Sequence, residues 1–253
     1  MRALVTGASS GLGRDFAREL AKRGYDLVLV ARRKDRLQQL SQELSMVKTE
    51  IICTDLSDVH AVYALYEQVR GDDLEVVINN AGFGLFGAFI DTDLDRELQM
   101  LDLNVRTVHI LTKLFLRDFQ KKNHGYLLNI ASAAGFLPGP LMSTYYATKN
   151  YVLRLTEAIH EELRQQGSHV QISALCPGPV DTEFNDVAKV RFSLKGLQSR
   201  DVAAFSIRGL FAGKCIMVPG RQMRFVLAMR HFASEGMLRR ITYHTQHRKN
   251  GKS

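Results

Sequence analysis

Tyr145 and Lys149 stand four residues apart, thirteen residues after Ser132. On a helix, positions i and i+4 share a face, so the Lys149 ammonium can sit beside the Tyr145 hydroxyl. A free phenol, with a pKa of about 10, is a poor base at neutral pH. A neighbouring cation favours the phenolate and moves the group toward useful acid–base chemistry. Many helices carry such a pair on a solvated face, so the pair takes its meaning from its company. The chain also opens with Thr6-Gly7-Ala8-Ser9-Ser10-Gly11-Leu12-Gly13, directly after a strand-like Ala3-Leu4-Val5. A loop able to cradle phosphates and a phenol with a lysine beside it together point to hydride transfer.

Gly7, Gly11 and Gly13 sit where a first strand gives way to a first helix. A phosphate at a helix N-terminus meets free backbone N–H groups and the positive end of the helix dipole. Glycines let that backbone turn tightly and approach a pyrophosphate, Ser9 and Ser10 add hydroxyl donors, and Leu12 lies between the last two glycines. The other reading is a Gly-rich turn that only joins strand to helix. The end of the second strand bears on the choice of dinucleotide. An NAD-binding fold usually offers an acid to the adenosine ribose there, whereas this chain has Ala31-Arg32-Arg33. With no acid at that strand end to repel it and Arg32 available as a bidentate donor, a 2′-phosphate and so NADP(H) is favoured, unless both arginines merely decorate a solvated loop. Asp55-Leu56 follows the third strand, placed to meet the adenine edge. Asn80-Ala81-Gly82 ends the fourth, where small residues let a cofactor lie close to the backbone.

The elements that must position these residues alternate. Strands are expected at 2–6, 26–31, 50–53, 76–79, 126–130, 170–175 and 215–218, and helices at 11–23, 34–47, 57–69, 94–121, 146–166 and 200–211. Several strands are near-continuous Val/Ile/Leu runs, as in strands covered on both faces. The expected fold class is therefore α/β, a doubly wound parallel sheet of the Rossmann type with about seven strands and helices on both faces. Ser57 with Asp58 starts one helix, and Gly24 ends another. Gly7, Ala31, Asp55, Asn80, Ser132 and Pro177 all fall at or just past strand ends, so one crevice can collect them.

The 253 residues, 45% hydrophobic and 24% charged, suit one α/β domain with its own core. Cys53, Cys176 and Cys215 are far apart and match no metal-ligand spacing, which reads as reduced thiols in a cytoplasmic protein without a metal. The N-terminus leaves no room for a signal peptide, and no apolar run reaches the roughly 18 residues that span a bilayer. Of the net charge of +8, the stretch 219–253 holds +7, with eight Lys/Arg against Glu235. The body is near neutral and gives no sign of nucleic-acid binding. Residues 1–218 read as the catalytic domain, and 219–253 as a basic amphipathic extension of it. Within 221–242, Met, Leu, Val, Ile and Phe alternate with arginines. Such a helix can lie on an anionic membrane, and more often packs on its own domain or a partner subunit. Residues 247–253 look frayed.

At this point the residues resemble the short-chain dehydrogenase/reductase family in its compact single-domain branch. The matches are Thr6 through Gly13, Asp55-Leu56, Asn79-Asn80-Ala81-Gly82, Asn104, Ser132, Tyr145-x-x-x-Lys149 and Pro177-Gly178-Pro179-Val180-Asp181-Thr182, in family order across about residues 1–215. Within that family Ala31-Arg32-Arg33 looks like the NADP(H) pattern, though Ser10 replaces the basic residue some such members carry. The resemblance implies that Tyr145 exchanges a proton with the substrate oxygen while Lys149 lowers its pKa and hydrogen-bonds the nicotinamide ribose. It implies that Ser132 holds the substrate oxygen and that Asn104 steadies a water linking Lys149 to solvent. Without it, Asn104 would read as a polar break in a helix. Pro177, Gly178, Val180 and Thr182 would touch the cofactor.

Three segments should shape the substrate site: 83–86, 136–142 and 183–197. Their Phe, Leu, Met and Val favour an apolar or acyl-bearing carbonyl compound. Loop 183–197 is expected to close over substrate, and Lys189, Arg191 and Lys195 either meet an anionic handle or decorate a solvated face. By family analogy the protein is a homodimer or homotetramer packed through helices 94–121 and 146–166. The competing function is a non-catalytic NADP(H)-binding sensor, which would not need Ser132, Tyr145 and Lys149 together.

Overall fold

Alternate side chains of each strand enter opposite helical layers, which is why these strands read as unbroken apolar runs. Ala3, Val5, Leu27 and Leu29 join Phe16 and Leu20 on one face, while Leu4, Val28 and Val30 join Leu65 and Phe115 on the other. The computed structural model describes residues 1–184 and 196–250. Its strands run as β1 (Arg2–Thr6), β2 (Asp26–Ala31), β3 (Thr49–Cys53), β4 (Leu74–Asn79), β5 (Tyr126–Ile130), β6 (Gln171–Leu175), β7 (Val180–Asp181), β8 (Leu197–Gln198) and β9 (Ile216–Met217). Seven form one sheet in the order β3-β2-β1-β4-β5-β6-β9, and every pairing is parallel. The order reverses between β1 and β4, and such switch points open the ligand crevice of a doubly wound sheet. β7 and β8 pair separately, parallel to one another.

The helices are α1 (Gly11–Ala21), α2 (Lys34–Glu43), α3 (Val59–Val69), α4 (Leu94–Leu101), α5 (Val108–Lys122), α6 (Ser143–Gln165), α7 (Ser199–Phe211), α8 (Arg221–Met229) and α9 (Glu235–Asn250). Asp58 caps α3 by accepting the His60 N–H at 2.9 Å, which satisfies an amide that has no partner within the helix. Two expected helices differ from the sequence reading. The stretch 94–121 is not one α-helix: a π-helical turn, Asp102–Thr107, separates α4 from α5. The basic stretch 221–242 is also broken, by a 3₁₀ turn at Arg230–Phe232. Extended Ala233 follows, and Ser234 opens α9 by accepting the Met237 N–H at 3.3 Å. α9 then runs to Asn250, beyond the point where the sequence suggested fraying. Lys189, Arg191, Lys195 and most of the expected closing loop lie outside the described residues. Among those described, no helix is long and apolar enough to cross a membrane.

Candidate active site

The Thr6 hydroxyl ties the switch point together. It accepts the N–H groups of Asn80 at 2.9 Å and Ala81 at 3.0 Å, and donates to the Ile78 carbonyl at 3.2 Å. The Asn80 amide returns to Thr6 O at 2.9 Å and Gly7 O at 3.3 Å. These bonds hold the glycine loop against the end of β4. Gly7 has φ +68°, and a Cβ there would come within 2.7 Å of the Asn80 amide nitrogen. Gly13 is needed for a different reason: a Cβ there would lie 2.2 Å from Gly7 O. No side chain caps α1 and no acid occupies its first turn, which leaves its leading N–H groups directed at the crevice.

One crevice of about 560 Å³ collects most of the residues singled out by sequence. Gly7, Ser9, Ser10, Gly11, Leu12, Arg32, Arg33, Asp55, Leu56, Asn80, Ala81 and Gly82 line its dinucleotide end. Ser132, Tyr145, Lys149, Pro177, Gly178, Val180 and Thr182 line the remainder. Gly13 and Asn104 are not part of its wall and act from behind it. The two arginines are held differently. The Arg32 guanidinium is largely exposed and reaches Asp55 at 3.4 Å. Arg33 donates to Ser9 Oγ at 3.2 Å and to Glu183 at 2.9 Å, and Arg36 also pairs with Glu183. Asp55 accepts the Ser57 N–H and hydroxyl through one oxygen; its carboxyl lies below the usual range because these bonds and Arg32 outweigh burial.

Ser132 ends the loop after β5 and accepts the Ala134 N–H at 3.1 Å. Its hydroxyl lies 3.5 Å from Pro177 O, the carbonyl that takes the Ala133 N–H at 2.9 Å. Tyr145 and Lys149 stand on the first turns of α6, both buried. The Lys149 ammonium donates to Ile130 O at 2.8 Å and lies 5.9 Å from the Tyr145 ring centre. Burial pushes the ammonium down to about 8, opposed in part by the Cys176 thiol. Burial also holds the Tyr145 phenol above its ordinary value, while its hydrogen bond with Ser132 works the other way. The expected lowering of the phenol by Lys149 is therefore not what dominates here; desolvation is.

Asn104 lies in the π turn, completely buried. It accepts the Phe83 N–H at 3.1 Å and donates to Phe83 O at 2.9 Å and Thr148 Oγ at 3.2 Å. The turn thus braces the strand-β4 loop against α6 beneath Lys149. Beyond Tyr145 the crevice becomes apolar, walled by Phe83, Leu137, Met142, Phe184, Met223, Val226 and Ile241.

A family model described as short chain dehydrogenase matches residues 1–190. This chain belongs to the short-chain dehydrogenases. The very-long-chain 3-oxoacyl-CoA reductase of Anas platyrhynchos is 33% identical over 216 residues, covering 82% of this chain and 69% of that protein. A short-chain dehydrogenase from Sphingobium yanoikuyae in complex with NADPH superposes with a TM-score of 0.83 at 30% identity, covering 96% of this chain and 95% of that one. One from Burkholderia phymatum in complex with NAD gives 0.82 at 26% identity, covering 91% and 92%.

As a short-chain dehydrogenase the protein is an oxidoreductase, and the crevice suits a nicotinamide dinucleotide. The fit rests on this structure: a Cβ at Gly7 would strike Asn80, and the uncapped end of α1 presents N–H groups where a pyrophosphate approaches. Sequence reasoning missed α9 as part of the site and placed Glu183 only in the segment expected to shape the substrate end. Glu183 enters the arginine end from far along the chain. Thr242, Thr245 and Gln246 of α9 line the substrate end, and Gln246 donates to the Tyr146 hydroxyl at 2.6 Å. The dipeptide Tyr145-Tyr146 was the one sequence signal that a second phenol stood there.

Proposed function

We propose that this short-chain dehydrogenase moves hydride between NADP(H) and the carbonyl carbon of an apolar or acyl-bearing compound, with Tyr145 as general acid or base. The reading is carried by one juxtaposition: Ser132, Tyr145 and Lys149 stand where the dinucleotide crevice meets a pocket of Phe, Leu, Met and Ile side chains. A bound nicotinamide dinucleotide supplies or accepts the hydride. In reduction, the carbonyl oxygen gains its proton from Tyr145, which burial keeps protonated. Ser132 holds the same oxygen as charge develops on it. Lys149 and, behind it, Asn104 keep the α6 face and the Phe83 backbone in register around that oxygen. In the alcohol-oxidising direction the same phenol takes the proton.

NADP(H) is favoured by Arg32 and Arg33 and by the absence of an acid at Ala31. The acyl side of the substrate range is favoured by the apolar wall and by likeness to a very-long-chain 3-oxoacyl-CoA reductase. The test is loss of reduced-nicotinamide absorbance with 3-oxoacyl thioesters of rising chain length, bulky ketones and steroid ketones. Turnover is expected with at least one apolar class. Tyr145→Phe should lower kcat by about 10³-fold with NADPH affinity kept. Tight NADPH binding without turnover of any carbonyl overturns the reading in favour of a sensor, and full activity in Tyr145→Phe removes Tyr145 as the acid or base.

A further inference from the structure

The last two helices carry apolar side chains on their outer faces. α9 turns Thr242 and Gln246 inward, where both are buried, yet Met237 and Ile241 on the same helix are 54% and 52% exposed. On α8, Phe225 and Met229 point outward one turn apart, and Phe232 in the following turn is 83% exposed. A surface helix in water ordinarily shows the reverse pattern. Interleaved with these side chains are Arg221, Arg224, Arg239 and Arg240, all exposed. Arg230 is not among them, because its guanidinium lies 4.5 Å from the centre of the Phe136 ring. The stretch 219–253 contains eight Lys/Arg and one acid, beside a nearly neutral body.

Polyanions such as nucleic acids would satisfy the arginines and leave exposed Phe and Met in water. An anionic bilayer takes both, cations at the headgroups and apolar side chains at the acyl boundary. A second observation concerns where this face leads. Met237, Arg240, Ile241, His244 and Thr245 form an open hollow of about 650 Å³, and Ile241 and Thr245 also line the crevice. Val226, 44% exposed on α8, lines the crevice as well. Apolar side chains therefore run from the outer helix face into the pocket that holds Tyr145.

We propose that α8 and α9 rest on an anionic lipid surface with the crevice mouth turned toward it. Phe225, Met229, Phe232 and Met237 enter the headgroup boundary, and an apolar substrate passes between lipid and Tyr145 without crossing open water. The lipid contact stands on exposure and charge alone, whereas the delivery step rests on the apolar-substrate reading above.

The test is flotation of the full chain with phosphatidylcholine vesicles, with and without phosphatidylserine. Binding should rise about ten-fold or more with the anionic lipid and fall at high salt. Phe225→Ser with Phe232→Ser should lower partition about ten-fold while turnover of a water-soluble carbonyl compound stays unchanged. Arg221→Gln with Arg224→Gln should cost about five-fold per charge at low salt. No flotation, or equal flotation of wild type and the double Phe variant, overturns the proposal. So does a mass in light scattering that doubles with concentration and reverts in that variant, which would assign the face to a second copy. If vesicles bind but no carbonyl compound turns over, the lipid contact holds and the substrate reading fails.

Discussion

The two residues that share a face on α6 are both placed against their own ionisation. Lys149 lies at about 8 rather than its ordinary 10.5 because burial penalises the ammonium. Between those values the unfolded chain holds the proton and the folded chain has lost it, so stability rises with pH through that window. Below pH 8 the whole cost of burying the cation is present. Lys149→Met is therefore expected to unfold later than wild type at pH 7, by on the order of 2 kcal/mol, while losing activity. Thermal melts at pH 7 and above pH 10 check this, since the difference should shrink across the interval. The raised Tyr145 phenol acts in the opposite sense above pH 10 in both proteins, so their difference isolates Lys149. A Lys149→Met variant less stable than wild type at pH 7 would mean that the bond to Ile130 O outweighs desolvation. The pairing of these residues was legible from spacing. Their protonation was not, because it depends on what strands β5 and β6 bury around them.

At the level of elements, the strand ends were readable because parallel strands covered on both faces must be apolar throughout and must stop where the glycines, Asn80 and Ser132 begin. The π turn was hidden. One wide turn leaves the apolar periodicity of α4 and α5 almost intact, and the bonds that hold it run from Asn104 to Phe83, distant in sequence. The arginine end was half-readable for a similar reason. Arg32 and Arg33 are adjacent in sequence, but Glu183, which pairs with Arg33 and Arg36, arrives from beyond β7. With NADP(H) as the proposed cofactor, a carboxylate beside these guanidiniums would compete with its 2′-phosphate for Arg33. Glu183→Gln should tighten NADPH about three- to ten-fold and leave NADH almost unmoved, as read by titration of nicotinamide fluorescence. Equal changes for both would remove Glu183 from the adenosine end. Conversely, Ala31→Asp with Arg32→Ser should turn the ratio of specificity constants toward NAD(H) by about ten-fold or more. An unchanged ratio would sink the role given to Arg32.

Across the whole molecule, the body and the tail were unequally legible. Residues 1–190 match the family model and carry the ordered motifs, whereas α8 and α9 fall beyond that match. Composition made the tail basic and amphipathic, but nothing local announces that its last helix folds back over a phenol one hundred residues earlier. Long-range closure of this kind depends on how much of the crevice the body leaves uncovered, which only the assembled sheet decides. On the proposed function, substrate recognition is divided: the body would supply proton transfer, and α9 supplies part of the wall. Gln246 is buried and bonded to Tyr146, whose ring stands 6.2 Å from that of Tyr145. Gln246→Leu keeps the volume of the side chain roughly constant and removes its hydrogen bond to the phenol. Loss of one buried bond of this sort costs about 1 kcal/mol, so the KM for an apolar carbonyl substrate should rise about five-fold. Because Gln246 lies away from the glycine loop and the arginines, NADPH affinity should stay within about two-fold. Steady-state KM alongside a direct NADPH titration separates the two effects. A loss shared equally by cofactor and substrate would mean that α9 holds the whole crevice in shape rather than walling its substrate end.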